Sequence, residues 1–159
     1  MPLAKVEQAN RLKRNVEKWS PELMEAGWTV VPSILLEKQD TFGLDAIDMN
    51  ILLQLARYWW YPDNPPHPSK AAIAKALGIH ESTVRRRIAG MEKSNFIRRV
   101  ARFNKLRGQD TNSYHFDGLI TAAKPFALEA KQEREKQASE REERKTRRRP
   151  LSIVPLQKV

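Results

Sequence analysis

The stretch Leu77–Lys93, LGIHESTVRRRIAGMEK, decides how the rest of the chain is read. Gly78 separates two helix-like segments, and Val84, Ile88 and Met91 recur at the spacing of one helix face. The consecutive arginines Arg85, Arg86 and Arg87 cannot share a direction on such a helix, because each residue advances about 100°. Measured from the apolar face, Arg86 points about 165° away, Arg85 about 95° and Arg87 about 65°. Ser82, Ala89 and Lys93 share the outward side with Arg86. Ser82 and Ala89 are small, so another surface could approach Arg86 closely.

Upstream, Ser69 caps a helix that runs to Leu77, and Gly78 supplies the turn into a second helix from about Glu81 to Lys93. Before it, Tyr61–Pro68 is too rich in proline to be helical. Asp45 starts the best-marked helix: Asp48 follows three residues later, and Ile47, Ile51, Leu52, Leu55 and Tyr58 or Trp59 continue its apolar face. Residues 3–19 read as an amphipathic helix with Val6, Ala9, Leu12, Val16 and Trp19 on one side. Ser20-Pro21 opens another helix that Gly27 stops, Trp28–Val31 is extended, and Ser33 caps a short helix to about Gln39. Downstream, Phe96–Phe103 reads as a strand, Asn104–Asp110 as a turn and Thr111–Asp117 as the returning strand. The chain is helical again from Leu119. Beyond about Lys131 it is almost wholly charged, without an apolar stripe, and reads as a solvated helix or a disordered arm.

The expected architecture is mainly α with a small β-hairpin. It divides into an N-terminal helical extension (1–27), a central domain (28–123), a charged helix or arm (124–149) and a disordered tail (150–159). The tail carries a small apolar island, Ile153-Val154 with Leu156.

Charge narrows the function. The 159 residues carry a net +10, and between Ser69 and Gly108 there are 11 basic residues against Glu81 and Glu92, a net of +9. An excess so concentrated attracts a polyanion, with nucleic acid as the first candidate. The absence of cysteine excludes disulfides and thiolate metal sites. No apolar run reaches the roughly 20 residues of a membrane span, and the N-terminus lacks the apolar core of a signal peptide. His67, His80 and His115 are scattered, and no phosphate-binding loop or paired acidic site accompanies them. These features predict a cytoplasmic, non-enzymatic protein without cofactor or metal.

The pattern IAKALGIHESTVRRRI, followed by a basic hairpin, closely resembles the helix-turn-helix signature of bacterial DNA-binding proteins, in its winged form. That resemblance implies double-stranded DNA as partner, bases facing Glu81, Ser82 and Arg86, and a phosphate facing Thr83. The angles agree for Arg86, which would pair with guanine O6 and N7 and discriminate by about 1–3 kcal/mol. Backbone contacts are expected from Ser69, Lys70, His80, Thr83, Arg85, Arg87 and Lys93, and in the wing from Arg98, Arg99, Arg102, Lys105 and Arg107. Glu81 and Arg85 form a favourable i,i+4 pair, but one glutamate does not account for three arginines. On the strand, neighbouring arginines occupy both faces, so one row would face nucleic acid and the other solvent. Tyr114 and Phe116 are expected to pack the hairpin. The sequence departs from the pattern at His80, where Ser or Thr is the usual cap, so either the helix starts weakly or His80 meets a phosphate. Asn95 stands where glycine often ends the second helix, in a left-handed conformation that asparagine tolerates.

A wider resemblance covers about residues 28–97. GWTVVPSILLEKQDTFGLDAIDMNILLQLARYWW, a proline-rich loop and PSKAAIAKALGI resemble the N-terminal winged-helix domain of DnaD-type primosomal proteins and phage replication organisers. It implies a scaffold capable of self-association; the C-terminal remodelling domain of those proteins is not recognisable. Two functions follow: a sequence-specific regulator of transcription in a bacterial or mobile-element context, or a replication initiator or primosome accessory protein that recruits a helicase or loader through its C-terminal arm. A homodimer through the N-terminal helix and a protein partner on the arm stay open.

Overall fold

The computed structural model describes residues 3–104, 106 and 108–146, with residues 3–9, Asn104, Gln109 and Thr146 described as backbone only. Lys105, Arg107, the side chain of Val6 and the apolar island at 152–156 therefore lie outside the described residues.

The elements run α1 (Leu3–Trp19), α2 (Pro21–Glu25), α3 (Ser33–Glu37), α4 (Ala46–Ala56), α5 (Lys70–Leu77), α6 (Glu81–Lys93), β1 (Arg98–Val100), β2 (Phe103–Asn104), β3 (Gly108–Gln109), β4 (Ser113–His115) and α7 (Asp117–Thr146). The chain divides into two compact units, residues 1–122 and 123–159.

Three helices and the hairpin build the core of the first unit. Helix α4 starts with a capping box: the Asp45 carboxylate accepts from the Ile47 and Asp48 N–H groups, and the Asp48 carboxylate accepts from the Asp45 N–H. Such a cap satisfies donors that would otherwise be orphaned and is worth about 0.5–2 kcal/mol. Helix α5 is capped by Ser69, whose Oγ accepts from the Ala72 N–H at 3.0 Å. It ends at Gly78, whose φ of 66° is left-handed, a conformation that costs a residue with a Cβ far more. Ile51, Leu55, Ile73, Val84, Ile88 and Tyr114 are fully buried where α4, α5, α6 and the hairpin meet. Truncating any of the aliphatic ones to alanine costs about 2–5 kcal/mol.

The hairpin is antiparallel in two short ladders. Arg98 faces His115, Arg99 faces Tyr114 and Val100 faces Ser113; further out, Phe103 faces Gln109 and Asn104 faces Gly108. The proline-rich loop is tied to it, because the Tyr114 N–H donates to the Pro66 carbonyl at 2.8 Å and the Thr111 hydroxyl to the His67 carbonyl at 2.8 Å. This is a winged helix-turn-helix, mostly helical with one small hairpin.

Several expectations shift in detail. Ser33 is the first residue of α3 rather than its cap; Pro32 precedes the helix without a side-chain bond. Helix α4 stops at Ala56, and the chain leaves it through turns (Tyr58 N–H to Leu55 O, Trp59 N–H to Ala56 O). That departure lets Trp59 stack on Phe116, with ring centroids 5.3 Å apart. Phe96 is not yet strand: its N–H donates to the Met91 carbonyl and its ring meets Phe42 edge-on. Asn95 has φ 58°, the left-handed stop that its short polar side chain allows. Beyond Lys131 the chain is an exposed helix as far as Thr146, the solvated alternative of the two expected.

Candidate nucleic-acid interface

Helix α6 presents Ser82, Arg86, Ala89 and Lys93 to solvent along one side, while Val84, Ile88 and Met91 are buried on the other. The three arginines have different surroundings. Arg85 is exposed and its Nη2 meets Glu81 Oε1 at 3.2 Å. Arg86 is exposed and has no ion-pair or hydrogen-bond partner among the described residues. Arg87 turns toward α4, where its Nη1 lies 2.6 Å from Asp45 Oδ2 and 3.5 Å from Asp48 Oδ2. The expectation that Glu81 is the triplet's sole carboxylate therefore needs correction: α4 supplies two more, from a part of the sequence far from the triplet.

The bookkeeping of oxygens explains why α4 can do this. Asp45 uses Oδ1 for both capping bonds and keeps Oδ2 for Arg87. Its carboxyl is held below the usual aspartate range, first by the Asp48 N–H, with Arg87 adding to the effect against desolvation. Asp48 moves the other way, pushed up mainly by burial despite the N–H of Asp45 and the nearby Arg87. An open groove of about 450 Å³ runs along this flank, lined by Phe42, Gly43, Asp48, Arg86, Arg87 and Gly90 among others.

At the start of α6, histidine caps after all. His80 Nδ1 accepts from the Ser82 N–H at 3.2 Å and lies 2.7 Å from Ser82 Oγ. Accepting at Nδ1 requires the neutral ring with its proton on Nε2, so one N–H donor stays available to an outside acceptor. The imidazole thus takes the serine's usual place as side-chain cap.

The wing differs from expectation. Arg98 and Arg99 occupy opposite faces of β1, but the second face does not look to solvent. Arg99 lies over buried Tyr114 and is bonded to the carboxylate of Glu92 on α6, with about 30% of its side chain exposed. Glu92 holds the Arg99 guanidinium in its charged form. Arg98 is exposed and pairs with Asp117 at 2.8 Å; Arg102 lies 3.9 Å from Asp110. Tyr114 and Phe116 pack inward as expected, with burial pushing the Tyr114 phenol up. Ser69 and Lys70 sit together at the start of α5, and Thr83 is half-buried on α6.

The sequence reading missed Asp45, Asp48, Glu92 and Asp117 as partners of the basic residues, and it missed Gly118. A Cβ on Gly118 would stand 1.6 Å from the Asn95 carbonyl oxygen, so α7 starts directly against the end of α6. One signal for these partners was present: a capping-box aspartate with a spare oxygen. Among the described residues no cluster of three or more potential ligands could hold a metal, and no helix is long and apolar enough to cross a membrane.

Residues 43–97, from just before α4 to the end of the α6 turn, match a family described as a helix-turn-helix domain. No curated protein matches the chain. A solved structure described as the crystal structure of transcriptional regulator PA3341 is similar at 20% identity, over 79% of each chain, with a TM-score of 0.40. That likeness is too distant to bear on what the chain does.

Proposed function

We propose that this chain binds double-stranded DNA sequence-specifically and acts as a regulator of transcription, with α6 in the major groove and the hairpin beside it. The observation that carries the reading is Arg86, exposed between small residues on the outward side of α6, without a carboxylate partner among the described residues. An arginine so placed can offer its planar fork to guanine O6 and N7. Glu81 and Ser82, one turn earlier, accompany it at the bases. Ser69, Lys70, His80, Thr83, Arg85 and Lys93 serve as backbone contacts, as do Arg98, Arg102, Lys105 and Arg107 from the wing sequence. Arg87 and Arg99 are removed from the contacts the sequence suggested, since both are committed to carboxylates within the fold.

Selection of bound sequences from a random duplex library tests the reading. A defined motif is expected to be enriched, with guanine at the position that Arg86 reads. Retention of all sequences alike would instead favour a structural or replication role.

A further inference from the structure

We propose that Arg87 is a positioning residue: latched to Asp45 and Asp48, it fixes the rotation of α6 on α4 so that Arg86 stands outward, and it makes no contact with DNA itself. The inference rests on the duplex-binding reading above and assigns a different task to a residue that the triplet alone would make a third grip.

Its exposure separates it from its neighbour. Arg87 keeps about 29% of its side chain exposed, against 67% for Arg85. Its Nε is buried and finds no hydrogen-bond partner, as expected of a guanidinium drawn into the protein by the carboxylates at its tip. The Asp48 side chain is only 10% exposed, so freeing Arg87 would leave a nearly buried carboxylate without its cation. A phosphate would have to compete with both aspartates for a group they already hold.

The consequence for Arg86 is geometric. Adjacent residues on a helix are fixed about 100° apart. Holding Arg87 against the start of α4 therefore sets the direction of Arg86. Core packing of Val84, Ile88 and Met91 fixes the same rotation from the opposite side, and the ion pair adds a restraint on the flank that carries the arginines. Asp45 and Asp48 are themselves held by the capping box, so the latch is anchored to the most strongly capped helix of the domain.

The test uses the full chain, a duplex selected for tight binding and a random duplex, each measured across a range of salt. The variants are R87Q, D45N/D48N and all three substitutions together. Asparagine caps helices as well as aspartate does, so D45N/D48N removes the charges and keeps the α4 cap. The reported quantity is the ratio of specific to random affinity, because removing two carboxylates strengthens binding to any duplex. The latch predicts that R87Q and D45N/D48N each lower this ratio about fivefold, and that the triple variant is no worse than either, as for residues acting as one unit. It also predicts an unchanged salt slope for R87Q. Three results overturn it: a slope reduced by about 0.9 in R87Q with equal loss on both duplexes, which marks a phosphate contact; an unchanged ratio in D45N/D48N; or a fall in thermal stability with the ratio intact. If R87Q fails to fold, D45N/D48N gives the ratio alone. Failure of the wild-type chain to bind any duplex overturns the duplex-binding reading itself, a different outcome from these.

Discussion

In helix α6, Arg86 stands without a partner among the described residues while Arg85 and Arg87 are paired; in the wing, Arg98, Arg99 and Arg102 each lie within 4 Å of a carboxylate. Two regions with the same density of arginine thus offer an outside polyanion different things. The helix keeps one uncommitted fork on its crest. The described part of the wing gives most of its charge to Asp117, Glu92 and Asp110. The net charge between Ser69 and Gly108 overstates the free charge, because Asp45, Asp48, Asp110 and Asp117 reach its arginines from outside the stretch. Available charge, rather than charge, separates a reading surface from a supporting one.

The comparison depends on helix and wing being held together, and the joint is where it can be broken most severely. Gly118 follows Asp117, the partner of Arg98, and touches the Asn95 carbonyl at the end of α6. Gly118→Ala is expected to destabilise the domain by about 1–3 kcal/mol or more, because the clash is with backbone and cannot be relieved by a side-chain rotation. Gly90→Ala is the control of opposite sign: nothing lies within 4 Å of that Cβ, and the gain in helix propensity is up to about 1 kcal/mol. Thermal melts of the two variants should move in opposite directions.

Next in size is the wing pair that reaches back to α6. Arg99→Gln leaves the half-buried Glu92 without its cation and should cost about 1–3 kcal/mol of stability. Arg98→Gln breaks only an exposed pair, worth at most about 1 kcal/mol. Denaturant titration of the two separates them, and equal losses would show that the two faces of β1 are not different environments.

The smallest effect sharpens the account of α4. A lowered folded-state pKa means that Asp45 contributes stability above its ordinary value of 3.8, and that this is lost as pH falls through the folded value. Asp48, raised by burial, behaves oppositely: the folded state holds its proton longer, so its contribution declines as pH rises from the ordinary value through the raised one. Relative to the wild-type chain, D45N should therefore lose stability with rising pH in the lower part of the acid range. D48N should gain it in the upper part. Urea melts across that range test the signs.

Much of this was legible from local chemistry. The Asp45 and Ser69 caps, the turn at Gly78, the span of α6 and the left-handed Asn95 follow from residue types whose backbone preferences act within a few positions. The exposed position of Arg86 on α6 follows from the 100° advance per residue measured from Val84, Ile88 and Met91. The local Glu81–Arg85 pair was legible from its i,i+4 spacing, but the tertiary ion pairs were not, since Arg87 and Asp45 meet only when α6 packs on α4. The cap bond of His80 was not legible, because cap statistics omit what an imidazole nitrogen can accept once Ser82 is beside it. Gly118 gave no signal, because its need comes from the Asn95 backbone across a packing contact.

The central claim is that Arg86 reads a base. It is tested most directly by measuring Arg86→Ala against wild type on a panel of single base-pair variants of the selected site. The account predicts that wild type discriminates at each position of the motif. Arg86→Ala should lose about 1–3 kcal/mol of discrimination at one position and keep the rest. Loss spread evenly over all variants, with random duplex weakened by the same factor, would contradict it.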